Sequence, residues 1–173
     1  IRPLPYTEAN RLVMIWDAMG ETDVTSRHNA TPAEWIVWRR LNTVFTDLAS
    51  TQPADATLSG DGEPEQVPAR KVTWNFWGVL GVQPALGRVF TEDDVTQARP
   101  VAIVNETFAR TYWPGRPAVG QVIHSGGFDQ PALEVVVVSR DHKVRSVGEP
   151  VRPYVHRPVE RERSIGLVVR TVA

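Results

Sequence analysis

Cysteine is absent from all 173 residues. That excludes a disulfide framework, a thiolate metal site and a cysteine nucleophile. It leaves the compartment open, because an extracytoplasmic domain with a large enough core can do without disulfides. An excess of one charge is also missing: 19 Lys and Arg stand against 20 Asp and Glu. Nothing in that balance draws the chain towards nucleic acid. Long hydrophobic runs are lacking too. The longest, Leu133 to Val138, is interrupted by Glu134 and falls far short of the roughly 20 residues that a membrane span needs. No signal peptide is visible.

Chemical motifs are equally sparse. The four histidines, His28, His124, His142 and His156, form no HxH, HxxxH or HExxH spacing and lie in different segments, so no zinc site is expected. Asp141-His142 resembles half of a hydrolytic triad only by adjacency, and no GxSxG accompanies it. Ser125-Gly126-Gly127 lacks the lysine and helix of a phosphate loop and reads better as a hairpin turn. Asp61-Gly62-Glu63 is too poor in ligands for a calcium loop. Asp93-Asp94 could hold a hard cation, but helix capping accounts for them without one. Between Arg140 and Arg163, seven Lys and Arg meet four Asp and Glu, a pattern expected of a solvated face. No catalytic residue, cofactor or metal is therefore expected.

What is present is a sound core composition, 42% hydrophobic and 23% charged, enough for one domain or two small ones. It is organised around Val72 to Asp94. Phe76, Trp77, Val79, Leu80 and Leu86 are too apolar for a solvated loop, while Gly78, Gly81, Pro84 and Gly87 forbid a long helix. The stretch reads as a fixed corner packed from both ends. It releases into Thr91-Glu92-Asp93-Asp94, a Thr N-cap with carboxylates at the positive end of a helix.

Along the chain, Ile1 to Tyr6 is a stiff, proline-spaced lead-in. Arg11 to Trp16 reads as a buried strand, and Gly20 to Asn29 as a polar loop. Thr31-Pro32-Ala33-Glu34 is a capping box with proline at the first helical position. Trp35, Trp38, Leu41, Phe45 and Leu48 then recur three or four apart, predicting a helix from Pro32 to Ala49. Core packing is the better reading of that tryptophan pair than sugar stacking. Thr57 to Ser59 and Glu65 to Thr73 suggest a hairpin. Pro100 to Val104 reads as a second buried strand, followed by a helix, Glu106 to Trp113, capped by Asn105 and ended by Pro114-Gly115. Val119 to His124, Leu133 to Ser139, Val151 to Arg157 and Gly166 to Val172 are further strands. Arg140 to Pro150 is a charged connection. The order predicts an α+β fold with mixed and antiparallel sheets and few helices.

The run from Asn75 to Phe90, NFWGVLGVQPALGRVF, followed by Glu92-Asp93-Asp94, resembles the signature of the MacB-like periplasmic core domain of ABC transporter permeases, within the broader FtsX-like class. Trp77 stands in for the second aromatic of the signature. Arg2 to Tyr6 resembles the segment after that family's first transmembrane helix. Val37 to Phe45 is similar to its D-W-R helix, with Val37 at the acidic position. Val101 to Asn105, Pro114 to Gly120 and the stretch from Arg140-Asp141 to Val155 match further pieces. Val137 departs from the glycine common in its V-V-G-V strand. The residues carrying the resemblance are Asn75, Phe76, Leu80, Gly81, Gly87, Arg88, Glu92 and Asp93, all structural in role.

The resemblance implies two subdomains: a porter-like α/β part from residues 1–72 and 149–173, truncated at its C-terminal end, and an inserted β-rich part from residues 73–148. The chain reads as a fragment, because it starts at Ile1 without a methionine and stops inside a strand-like run. The resemblance further implies a periplasmic location outside an inner membrane, with no nucleotide bound by the domain itself. Its partners would be the transmembrane helices of the same permease, a cytoplasmic ATPase subunit, a second permease copy and a periplasmic adaptor protein. Two readings from other classes stand beside it: an extracytoplasmic ligand-binding or sensor domain without transport, and a hydrolytic or carbohydrate-active enzyme suggested only by six tryptophans and Asp141-His142. The substrate, the adaptor and any substrate-contact residue are not legible in the sequence.

Overall fold

A computed structural model of the protein describes residues 6–17, 28–59, 63–82, 84–125, 131–142, 150–159 and 164–172. Within them the strands are β1 (Leu12–Ile15), β2 (Phe45–Leu58), β3 (Glu65–Val72), β4 (Pro84–Gly87), β5 (Val101–Asn105), β6 (Val122–Ile123), β7 (Leu133–Ser139), β8 (Val155–Pro158) and β9 (Gly166–Thr171). The helices are α1 (Pro32–Leu41), α2 (Phe76–Leu80), α3 (Glu92–Thr96) and α4 (Glu106–Tyr112). All the strands join one mixed sheet in the order β1-β9-β2-β3-β8-β5-β7-β4, with β6 paired to β7. The architecture is α+β, as expected.

The long β2–β3 hairpin is antiparallel from Thr51 opposite Val72 to Leu58 opposite Glu65. Strand β9 returns from the far end of the sequence to lie between β1 and β2. Strand β8 is the join: it runs parallel to β3 on one side and antiparallel to β5 on the other. The sheet therefore runs unbroken through the residue ranges 1–72, 73–148 and 149–173.

Alternation along the strands sends side chains to two faces. Val101 and Ile103 face the cluster containing Phe76, Trp77, Val79, Leu80, Phe90 and Val168, whereas Ala102 and Val104 face Phe108, Ile123, Leu133 and Val135. A third, smaller cluster of Ala30, Ile165 and Leu167 seats Trp35 and Trp38 of α1. Every residue of β5 is buried, as its continuous apolar run requires.

Three expectations need correction. The helix from Pro32 stops at Leu41, and Phe45 to Ala49 belong to β2. The cause is Asn42: its Oδ1 accepts from the Val44 and Phe45 amides at 3.1 and 2.8 Å, while its Nδ2 donates to the Phe45 carbonyl at 2.6 Å. Such a local side-chain turn competes with helix continuation, and β9 then supplies ladder partners for β2. Trp35 still meets Leu48, but as an indole N–H donating to a strand carbonyl at 3.0 Å. Next, β1 is an edge strand and not a buried one, with Val13, Met14 and Trp16 at 45%, 39% and 40% exposure. Finally, Leu86 is 66% exposed, because among the described residues β4 is the opposite edge and pairs only with β7.

Other boundaries moved without changing type. The expected strand from Val119 shortens to Val122–Ile123, that from Val151 starts at Val155, and Thr57 and Leu58 of the expected Thr57 to Ser59 strand are the end of the much longer β2. Most of the Gly20 to Asn29 loop, the tips at Asp61-Gly62 and Gly126-Gly127, and the basic stretch at 143–149 lie outside the described residues.

Candidate functional site

The corner is built by α2, one turn of helix whose Phe76, Trp77, Val79 and Leu80 are all buried. Gly81 ends it in the left-handed conformation at φ 66°, its amide donating to the Gly78 carbonyl, a position that favours glycine. Space enforces the same choice, since a Cβ on Gly81 would lie 2.9 Å from the Thr7 Cβ and 3.0 Å from an Arg170 guanidinium nitrogen. Those two neighbours come from opposite ends of the sequence. Thr7 Oγ1 donates to the Gly81 carbonyl at 3.0 Å. Arg170, on β9, donates through Nε to the Val79 carbonyl at 2.8 Å and through Nη2 to the Thr7 carbonyl at 2.9 Å. Arg11 completes the knot by donating to the Thr171 carbonyl and pairing with Glu8. The first described residues, the corner and the last strand thus meet at one buried guanidinium.

Upstream, Asn75 does not cap α2. Its Nδ2 instead donates to Asp47 Oδ2 and to the Leu48 carbonyl, both at 2.8 Å. Asp47 also takes Arg39 of α1 at 2.8 Å, and the Arg39 guanidinium lies 4.8 Å from the Trp74 ring centroid, within cation–π range. Burial pushes the Asp47 carboxyl up, but the bonds from Arg39, Asn75 and the Leu48 amide outweigh it and hold the group below its usual range. This chain ties α1 to the corner. Beside it an open cleft of about 760 Å³ is lined by Trp35, Arg39, Asp47, Trp74 and Glu92, among others.

Downstream, Gly87 sits at φ 90°, and a Cβ there would fall 2.1 Å from the Val136 carbonyl oxygen. Val136 is the bulged residue of β7, skipped where Ala102 pairs with Val135 and Ile103 with Val137. The close backbone approach at this strand is therefore made by Gly87, while Val137 itself is buried. Arg88 then grips Asp94 with two nitrogens at 2.6 and 3.0 Å. Asp94 also accepts from the Thr91 amide and hydroxyl, closing the capping box of α3. Burial raises the Asp94 carboxyl, but Arg88 and Thr91 outweigh it and leave it below its usual range. Glu92 and Asp93 point to solvent. The buried acid is the third of the run, which spacing reveals: only Asp94 lies three residues after Thr91.

At the far side of β5, Asn105 Oδ1 accepts from the Phe108 and Tyr154 amides at 3.1 and 2.9 Å, and its Nδ2 donates to Asp141 at 2.7 Å. Asp141 in turn accepts from the Thr107 amide and hydroxyl and from Arg110. Burial raises this carboxyl too, and the Thr107 and Arg110 contacts more than reverse it. The Asp141 carboxylate is thus committed to the N-terminus of α4, while His142 directs Nδ1 to the Arg140 carbonyl at 2.9 Å. No group of three or more His, Asp or Glu side chains converges as a metal site among the described residues.

This corner, its glycines and its Arg–Asp clasp fall inside a match of residues 5–170 to the sequence profile of the MacB-like periplasmic core domain. The chain belongs to that family. Two solved structures similar to this periplasmic core domain agree in fold. One is the periplasmic region of MacB from Actinobacillus actinomycetemcomitans, with 16% identity and TM-score 0.70 over 94% of this chain and 75% of that one. The other is the extracellular domain of the ABC-type transporter YknZ from Gram-positive bacteria, with 13% identity and TM-score 0.68 over 94% and 84%. No curated protein sequence matches the chain. No helix among the described residues is long and apolar enough to cross a membrane.

Of the family-signature residues, Phe76 and Leu80 fill the core and Gly81, Gly87, Arg88 and Asn75 each hold a backbone or a buried carboxylate as described. Sequence reasoning missed Thr7, Asp47 and Arg170, whose roles depend on contacts across 74, 28 and 91 residues. A lone Arg inside the last apolar strand was the one local signal available: an arginine there is rarely buried unless paired.

Proposed function

We propose that this periplasmic core domain is a mechanical coupling element of an ABC transporter permease. In this reading, ATP hydrolysis by a cytoplasmic ATPase subunit moves the permease's transmembrane helices. The domain passes that movement to substrate export, or to lipoprotein, peptide or drug handling, outside the inner membrane. The observation that carries it is the Arg170 knot. A movement applied to the segment at Thr7 or to β9 reaches Gly81 and Val79 directly, through hydrogen bonds of 2.8 to 3.0 Å.

The same reading divides the domain into a porter-like part, residues 1–72 and 149–173, and a β-rich insert, residues 73–148. It assigns the domain no catalysis and no cofactor of its own. The permease acts as a homodimer, and a periplasmic adaptor docks on the domain. Deleting the domain from the parent permease tests this. Loss of transport with membrane insertion intact is the expected result, and full transport by the deleted protein overturns the reading in favour of ligand binding or sensing.

A further inference from the structure

His156 of β8 is fully buried, and neither ring nitrogen meets a hydrogen-bonding partner among the described residues. That is an unusual choice for the middle of an otherwise apolar face, since buried polar groups are normally bonded. Its ring is instead enclosed by rings: Trp77 at 4.8 Å, Tyr154 at 5.1 Å, Phe76 at 6.4 Å, and His142 stacked at 5.1 Å between centroids. His142 also meets the Trp77 ring edge-on at 5.3 Å. Trp77 belongs to the corner and His156 to the sheet's joining strand, whereas His142 belongs to the segment Arg140–His142 that leaves β7. His142 itself lies outside any strand or helix, so it can lift without breaking a strand, but only if the bonds of its neighbour Asp141 to Asn105, Thr107 and Arg110 part with it.

Charge around this stack is lopsided. Arg70 of β3 lies opposite His156 in register and donates to Thr51 Oγ1 at 2.9 Å. Residues of α2 and β5 packed there bring no charged group, and the Tyr154 hydroxyl is donated to the Ala69 carbonyl at 3.2 Å. The carboxylates beside His142, Asp141 and Glu106, engage α4 and the Asp141 amide. A proton on His156 in the closed stack would be buried among rings, beside Arg70, with no acceptor. Burial first, then His142 and Arg70, hold its ionisation well below the ordinary histidine range.

We infer that His142 stacked on His156 and Trp77 is an acid-sensitive latch, which holds the segment leaving β7 against the corner at neutral pH and releases it in mildly acidic surroundings. Closed, His156 stays neutral. Opened, it is an ordinary histidine that binds a proton near pH 6.5. Linkage then sets the size of the effect: the open population grows about tenfold between pH 7.5 and 5.5, because only the open form takes the proton.

Hydrogen exchange on the chain, corrected for the intrinsic pH dependence of exchange, reads this directly. Opening at the Asp141 amide is expected to rise about tenfold from pH 7.5 to 5.5, while the amides of Ala102 to Val104 keep their protection. His156→Phe and His156→Gln cannot take the proton, and whichever of them folds is expected to abolish the rise. Three results overturn the latch: no rise in the wild type, an equal rise at the β5 amides, which marks global acid unfolding, or a rise that survives either substitution.

Discussion

Arg88 and Asp94 form a two-point ion pair in which one partner is half-exposed and the other has no accessible side-chain surface. The pair fixes the exit from β4 to the start of α3, because the same carboxylate caps that helix through Thr91. Removing one partner of such a pair is worse than removing both, since a buried charge is left with too few ligands. Arg88→Ala is expected to destabilise the domain by about 2–3 kcal/mol, below the range for a fully buried pair because Thr91 still serves Asp94. Urea unfolding checks it, and a change under about 0.5 kcal/mol would show that the clasp is ornamental.

Acid should act on the domain in two stages. Asp47, Asp94 and Asp141 are all held below the usual carboxylate range, so their contribution is complete above about pH 4 and is lost as they protonate below it. His156 is also held low, but for a histidine this means that the unfolded chain takes a proton the native one refuses. Stability therefore begins to fall from about pH 6.5, at no more than about 1.4 kcal/mol per pH unit for one group. Unfolding free energies at pH 7.5, 5.5 and 3.5 are expected to show a shallow decline and then a steeper one. A flat profile down to pH 4 contradicts the histidine's part.

Gly81 and Gly115 share a left-handed backbone, φ 66° and 71°, but not their surroundings. A Cβ on Gly115 meets nothing within 4 Å, whereas one on Gly81 meets Thr7 and Arg170. Gly115→Ala should bear only the conformational penalty of about 1 kcal/mol. Gly81→Ala should cost about 2 kcal/mol or more and loosen Thr7. Thermal melts of the two variants compare them, and equal shifts would mean that the knot around Gly81 is not tightly packed.

How far the fold could be read from the sequence follows from how local each cause is. Thr31 and Thr91 announce their helices because capping needs only three residues of context. The corner was legible because Phe76 to Leu80 and Gly81 carry packing and turn information in one short run. The overrun of α1 had a local cause, the Asn42 turn, masked by Phe45 and Leu48, which keep helical spacing from Trp35 while their ladder partners on β9 lie more than a hundred residues away. The burial of β1 was misjudged for a nonlocal reason, since an apolar run does not say whether its strand ends up central or at an edge. Among the site residues, the corner's own side chains were visible and their tethers were not. Nothing local links Gly81 to Thr7 and Arg170, or His142 to His156.

Phe76 and Leu86 looked alike as apolar members of the corner, yet the first is 7% exposed and the second 66%. Phe76→Ala should cost about 3–5 kcal/mol through lost burial and a cavity. Leu86→Ala should stay within about 0.5 kcal/mol of the parent. Parallel denaturant titrations check both, and a large loss at Leu86 would place β4 away from the sheet edge.

The coupling role is tested most directly in the parent permease, reconstituted in membranes with its ATPase subunit. A spin label attached through Leu86→Cys, an exposed site on the edge strand, reports the distance between the two copies of the proposed homodimer by pulsed electron paramagnetic resonance. Movement passed from the ATPase to this domain predicts that trapping the nucleotide-bound state shifts the distance distribution relative to the nucleotide-free state. The same distribution in both states would contradict it.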